Sequence, residues 1–262
     1  MVLTIRAEDL AVSYGEHLVW EGMNIEINEP GLVGILGPNG VGKSTFMYTI
    51  NKLLAPSKGK VFLGDSNVSD LSFKDIAKLV AYVPQKSGET FAMSVLDTVL
   101  MGRYPISGFV TTKEDVHVAA KCLKLLGITD LAMRSFNELS AGQHQKVMIA
   151  RGLAQEPQIL LLDEPTSNLD VYHQLHVMKM LRDIAHKKQI IVVVICHDLN
   201  IASRFADRLI LFSNGKVKSD GIPKEVITSE NIKDVYDVTS DITEVDGRPY
   251  AIFHSHDEDF EF

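Results

Sequence analysis

The chain has 262 residues, 45% of them hydrophobic, and a formal net charge of −8. That length suits one large domain or a domain with an inserted lobe, and the acidic balance argues against wholesale nucleic-acid binding, which favours a basic face. The longest apolar run, Ile190 to Cys196, is far short of the roughly twenty residues that a membrane span needs, and Met1 to Arg6 lacks the features of a signal peptide, so neither a transmembrane helix nor a leader is expected.

Taken in chain order, Val2 to Ile27 reads mostly as strands with a turn near Tyr14-Gly15. Leu32 to Leu36 reads as a short buried strand and Thr45 to Leu54 as a helix. Between them lies Gly37-Pro38-Asn39-Gly40-Val41-Gly42-Lys43-Ser44-Thr45, which matches G-x-x-x-x-G-K-[ST], the P-loop pattern, in the strand–loop–helix context the motif needs. Its glycines let backbone N–H groups close on phosphate oxygens. Lys43 would reach the β- and γ-phosphates, Ser44 would ligate Mg²⁺, and the helix would aim its positive end at the same anion. A glycine-rich turn with a surface lysine explains neither the match nor its flanks.

Gly59 to Leu63 and Val80 to Val83 are further strand candidates. After Pro84-Gln85 the pattern turns helical. Ser94 to Gly102 and Lys113 to Leu126 carry apolar residues at helical spacing, with Val116, Ala119, Ala120, Leu123 and Leu126 on one face of the second. Roughly Ser87 to Leu153 reads as a helical lobe inserted into an α/β core. Gln158 to Asp163 and Ile190 to Cys196 are continuous apolar runs, as expected of parallel strands covered on both faces, with a helix from Val171 to Lys187 between them. Asn214-Gly215 signals a hairpin. Helical pieces follow near Lys224 to Ile227 and Asn231 to Asp237. The acidic segment from His254 to Phe262 reads as a mobile, solvated tail, a better account of His254 and His256 than a metal site. The two cysteines match no metal-ligand spacing and fit a reducing setting. Cys196, inside an apolar run, reads as packing.

Rapid hydrolysis of a bound triphosphate needs a metal clamp, a group that orients water and a γ-phosphate sensor. Asp163 ends an apolar strand, where a carboxylate can hold Mg²⁺ through its water shell. Glu164 follows, and where the backbone turns at the strand end it can face the attacking water as general base. His197 closes the next buried strand and can link the γ-phosphate to Glu164. Gln85 can reach metal or water with its amide oxygen. Leu139-Ser140-Ala141-Gly142-Gln143 opens a helix from small residues, a second anion-binding end. Two such ends in one chain suggest a nucleotide bound between two subunits.

Over nearly its whole length the chain resembles the ATP-binding cassette (ABC) ATPases. Tyr14 looks like the aromatic residue that stacks on adenine, Gly37 to Thr45 like Walker A, Gln85 like the Q-loop glutamine and Leu139 to Gln143 like the L-S-G-G-Q signature. Leu160 to Glu164 resembles Walker B, Ser167-Asn168-Leu169-Asp170 the D-loop, and His197 the switch histidine. Ala141 departs from the family glycine, which is tolerable if its φ is negative, and Asn168 stands where alanine is usual. The resemblance implies an α/β P-loop NTPase (RecA-like) core with an N-terminal antiparallel β subdomain, spanning residues 1–86 and 154–240. It also implies an inserted α-helical subdomain at 87–153 and a C-terminal extension at 241–262.

The resemblance further implies an ATP- and Mg²⁺-dependent ATPase acting as a head-to-tail homodimer. Each ATP would be gripped by Walker A of one subunit and by Ser140, Ala141, Gly142 and Gln143 of the other, with Asp170 nearby. Lacking a span, the chain would sit peripherally on the cytoplasmic face of the membrane against a separate permease, which docks near Gln85 to Tyr104 and is served by an extracytoplasmic substrate-binding protein. No nucleic-acid partner is expected. The segments Val99 to Pro105, His197 to Asn200 and Arg204 to Arg208 resemble those of iron–siderophore, haem and cobalamin importers. Molybdate or tungstate import is the alternative. A soluble ABC protein gating a ribosome or DNA is the more distant one, since long heptad coils and a second cassette are absent.

Overall fold

A computed structural model describes residues 3–85, 93–108, 110–167 and 169–254. Strands β1 (Ile5–Tyr14) and β2 (His17–Ile27) precede β3 (Gly31–Leu36), which runs into the glycine loop and helix α1 (Lys43–Ile50). Next come β4 (Lys58–Leu63), β5 (Ser66–Asn67), α2 (Phe73–Leu79) and β6 (Val80–Val83). The inserted lobe holds α3 (Val95–Leu100), α4 (Tyr104–Ser107), α5 (Lys113–Leu125) and α6 (Ala141–Ala154). The core resumes with β7 (Ile159–Leu162), α7 (Val171–Lys188), β8 (Ile191–Ile195), α8 (Leu199–Phe205), β9 (Arg208–Ser213) and β10 (Lys216–Gly221). It closes with α9 (Pro223–Val226), α10 (Ser229–Tyr236), β11 (Thr239–Val245) and β12 (Arg248–His254).

The central sheet has the order β10-β9-β3-β8-β7-β6, parallel except for β10 at one edge. Its inner strands are fully buried runs of Val, Ile and Leu, the composition that a sheet covered on both faces demands. Alternate residues feed two cores. Leu160, Leu162, Val192 and Val194 pack toward α5, α6 and α7, while Ile159, Leu161, Val193 and Ile195 pack toward α1 and the antiparallel sheet β2-β1-β4-β5. The α/β class, the N-terminal antiparallel sheet and the hairpin at Asn214-Gly215 thus follow the pattern in the sequence.

Three local differences have physical causes. The helix after the glycine loop starts at Lys43 and stops at Ile50, because Leu53 and Leu54 both donate to the Tyr48 carbonyl in a turn. The buried face of α5 is Val118, Ala119, Cys122, Leu123 and Leu126, and Val116 is 41% exposed. Asp115 rotates this helix. Its carboxylate accepts from Thr112 N (2.8 Å), from the Thr112 and Ser107 hydroxyls (2.7 and 2.6 Å) and from Arg103 Nε (2.9 Å), with only 1% of the side chain exposed. Burying Asp115 turns its neighbour Val116 outward. The third difference is a hairpin, β11–β12, where an extension was expected. Asn200 on α8 exchanges hydrogen bonds with both backbone groups of Ala251 (2.7 and 3.0 Å), and Ser203 donates to the Pro249 carbonyl. The first residues of the expected lobe, Asn168, His256 and the acidic end lie outside the described residues.

Arg103 also donates to the Ala154 carbonyl and to Glu156, so the Arg103–Asp115 pair ties three parts of the lobe together. The Ser107 hydroxyl, the Thr112 N–H and Arg103 hold the Asp115 carboxyl well below the usual carboxylate range. A depressed folded-state pKa contributes stability above the unfolded value near ~4, and that contribution is lost as pH falls through the folded value. Asp115→Asn should lower unfolding free energy near neutrality, since it removes one of the two carboxylates paired with a buried guanidinium and leaves Glu156 as the other. In urea titrations the gap to the parent protein should narrow below roughly pH 4.

Candidate functional site

The glycine loop leaves the end of β3 and returns as the first turn of α1. Gly42 caps α1 in a left-handed conformation (φ +93°) with no side-chain cap, so the first N–H groups of the helix are free to face an anion. A side chain is impossible at Gly42. A Cβ there would sit 2.1 Å from Trp20 Nε1 and 2.5 Å from Val19 Cγ1. Trp20 is itself the loop's anchor. It is 1% exposed, packs edge-on against Phe46 and donates from Nε1 to the Val41 carbonyl at 3.0 Å. Nothing in the motif pattern singles out Trp20. The only available signal was that it is the chain's lone tryptophan, in a strand just ahead of the loop.

Lys43 is 6% exposed and donates to the Gly37 and Pro38 carbonyls at 2.8 and 2.7 Å. Burial lowers its pKa, against the opposing pull of Glu164 and Asp163. Among the described residues no carboxylate contacts its ammonium directly, which leaves the charge available to a phosphate. A cavity of about 290 Å³ runs over Gly40, Gly42 and Ser44, from Tyr14 and His17 at one end to Glu164 at the other.

Ser44 Oγ donates to Asp163 Oδ1 at 3.1 Å, and Tyr82 Oη donates to Oδ2 at 3.3 Å. Burial pushes the Asp163 pKa up, with Glu164 adding to the rise and Ser44 opposing it. A buried carboxylate next to a hydroxyl is a hard-oxygen donor set suited to Mg²⁺, whose charge would reverse that penalty. Glu164 follows in a left-handed conformation (φ +49°), and this turns its side chain to the same edge as Asp163. There it meets the expected His197, whose Nε2 pairs with Oε1, and also Gln85, whose Nε2 donates to Oε2. The Gln85 amide nitrogen is thus held at Glu164.

The Ser140–Gln143 segment lies on the lobe and does not line this cavity. It forms a capping box: Ser140 Oγ accepts from Gln143 N and Gln143 Oε1 accepts from Ser140 N. Ala141 is absent from the positive-φ residues, as its tolerance required. At Gly142 a Cβ would lie 2.7 Å from the His173 ring, so a side chain there requires that ring to move. Asp170 caps α7 by accepting from His173 N and holds the His173 ring through Nδ1, both at 2.8 Å.

The family model for ABC transporters matches residues 20–167. The ATP-binding protein MJ0089 of Methanocaldococcus jannaschii, from an ABC transporter that is uncharacterised, is 42% identical over 96% of this chain and 98% of its own length. The ferric enterobactin transport ATP-binding protein FepC of Escherichia coli is 37% identical over 90% of this chain and 88% of its own. Among solved structures, an inward-facing ABC transporter described as of metal-chelate type superposes with a TM-score of 0.82 at 31% identity, covering 96% of this chain and 97% of that one. The dimeric cassette MJ0796 gives 0.74 at 31% identity, over 83% and 98%. The chain belongs to the ABC transporter family as an ATP-binding subunit, and it is an ATPase. Among the described residues, no helix is long and apolar enough to cross a membrane.

Trp20→Phe keeps an aromatic ring but removes the half of the indole that packs on Gly42 and strands the Val41 carbonyl. It should weaken ATP binding about three- to tenfold in calorimetry, the equivalent of one neutral hydrogen bond. Gly42→Ala should abolish measurable binding, because both its backbone conformation and the Trp20 ring forbid the new methyl group.

Proposed function

We propose that this chain is the ATP-hydrolysing subunit of an importer for metal chelates of the iron–siderophore, haem or cobalamin kind. The observation that carries the hydrolytic part is the convergence of Gln85 and His197 on Glu164 at the end of the glycine-loop cavity. Support for the cargo class comes from relatives: FepC by name, and the metal-chelate-type transporter by structure.

In this reading Tyr14, half-exposed at the cavity mouth, stacks on the adenine. Backbone N–H groups from Gly37 through Thr45, among them those of Pro38's neighbours Asn39, Gly40 and Val41, cradle the phosphates. Lys43 exchanges one loop carbonyl for a γ-phosphate oxygen. Ser44 and Asp163 hold Mg²⁺, with Gln85 contributing its amide oxygen; the cation, when bound, neutralises charge on the β- and γ-phosphates. Glu164 takes a proton from the attacking water as the water adds to the γ-phosphorus and the bond to the β-phosphate oxygen breaks. His197 fixes the Glu164 carboxylate and senses the γ-phosphate.

The anion-binding tip at Ser140, Ala141, Gly142 and Gln143 serves the nucleotide of a second copy, in a head-to-tail homodimer with Asp170 at the shared edge. The dimeric MJ0796 cassette supports this arrangement. ATP binds the closed pair better than the open one, and that difference in affinity drives motion in separate permease subunits at the cytoplasmic membrane face. A binding protein outside the cell delivers the cargo.

Glu164→Gln should leave ATP affinity near normal, cut turnover by about 10²- to 10⁴-fold and produce an ATP-dependent dimer in sedimentation velocity. Near-normal turnover would remove Glu164 from its role, and a strictly monomeric ATP-loaded variant would remove the shared site. Purification with a many-span permease, and loss of ferric-siderophore uptake on deletion, test the cargo class.

A further inference from the structure

Five lysines surround one cavity of about 500 Å³ between the inserted lobe and the core. Lys124 stands at the end of α5, Lys146 on α6, and Lys179, Lys187 and Lys188 on α7. Among the described residues none of the five makes an ion pair or a side-chain hydrogen bond. Elsewhere Lys218, Lys224 and Lys233 each meet a carboxylate at 3.0 Å or less. Asp183 is the one carboxylate in the lining. It lies one helical turn from both Lys179 and Lys187 and pairs with neither. Lys124, Lys187 and Lys188 occupy the last turns of their helices, where the helix dipole favours a cation. Lys146 and Lys179 are in helix interiors, and the dipole gives no reason for them. Their field is felt at His176 in the same lining. Burial first, then the charge of Lys146, with His173 and Lys179 adding to it, lower the pKa of that ring.

The wall from α7 follows from sequence spacing: His176, Lys179, Met180, Asp183, Ile184 and Lys187 recur at helical intervals and form one stripe. Met180 and Ile184, with Leu126 from the end of α5, give the cavity an apolar floor beneath its basic rim. Lysine is a point charge on a flexible stem, so such a rim selects charge density and not one planar geometry. The volume suits a small molecule. Overall charge does not explain the cluster, because the chain as a whole is at −8. We propose that this cavity binds a small polyanion, with phosphate, sulfonate or carboxylate groups at the lysine rim and an apolar frame on Leu126, Met180 and Ile184. The site shares no lining residue with the glycine-loop cavity. Since α5 and α6 belong to the lobe and α7 to the core, the ligand bridges the two and braces them against each other.

The test uses the full-length protein in EDTA and pyranine, a planar fluorescent trisulfonate, as probe, with binding read by fluorescence anisotropy. Lys146→Gln with Lys179→Gln should weaken binding about tenfold, the sum of two partly exposed charge pairs. Lys60→Gln with Lys78→Gln removes the same charge from elsewhere on the surface and should change binding less than about twofold. Lys43→Ala should also leave it unchanged, which separates this site from the glycine loop. Inorganic tripolyphosphate and citrate should each displace the dye, and their relative strength tells a phosphate ligand from a carboxylate one. The dye should raise the unfolding temperature of the parent protein and not that of Lys146→Gln/Lys179→Gln. If that variant fails to fold without dye, Lys179→Gln with Lys187→Gln, both exposed, carries the test. Absence of dye binding, equal weakening by the two lysine pairs, or loss of binding in Lys43→Ala overturns the proposal. Displacement by anionic phospholipid vesicles but not by tripolyphosphate or citrate overturns it in favour of a membrane surface.

Discussion

The catalytic edge depends on neighbouring parallel strands ending level. Ile35 of β3 lies opposite Ile195 of β8, Leu162 of β7 opposite Val194 of β8, and Val83 of β6 opposite Leu162. The ladder runs on to the first residue past each strand: Cys196 N donates to the Ile35 carbonyl and Asp163 N to the Val83 carbonyl, both at 3.0 Å. The glycine loop, the Asp163-Glu164 pair, His197 and Gln85 therefore leave the sheet at one level. Burial of both strand faces enforces this register, because a slip of one residue would exchange the faces that Leu160 and Leu161 present to two different cores.

On that edge the charges are arranged for an occupant. Burial lowers the Lys43 pKa and raises that of Asp163, so each charged form is disfavoured by its surroundings. A triphosphate beside Lys43 and a divalent cation beside Asp163 would each relieve one of these penalties. Glu164 adds backbone strain. A left-handed non-glycine residue costs about 1–3 kcal/mol, sustained here by the packed strand behind it and by the hydrogen bonds of its carboxylate to Gln85 and His197. The strain turns two consecutive residues to one edge, where an extended strand would send them to opposite faces.

What was legible in the sequence was whatever local pattern controls. The glycine loop, the apolar strands and the carboxylates at a strand end are each set by spacing within about ten residues. The residues that escaped notice act across long separations. Trp20 reaches Val41, Tyr82 reaches Asp163 over 81 positions, and Asn200 reaches Ala251. No periodicity encodes such contacts. The rotation of α5 is hidden for a related reason: a charged residue, Asp115, occupies the buried face, and an apolar count assigns that face without it. The β11–β12 hairpin did carry a signal, Asp246-Gly247, with both residues left-handed at the turn. Its flanking strands alternate too weakly in hydrophobicity to have drawn attention.

The signature segment shows how one short motif divides its requirements. Ala141 begins a helix at ordinary φ, and a methyl group there meets no prohibition from the backbone. At Gly142 the His173 ring occupies the space a methyl would need. Asp170 pins that ring through Nδ1 while capping α7. Asp170 at the start of α7 is thus linked through His173 to the tip of α6, where the ring lies against Gly142. Loss of the ring would open room at 142, so the crowding there comes from the contact with α7.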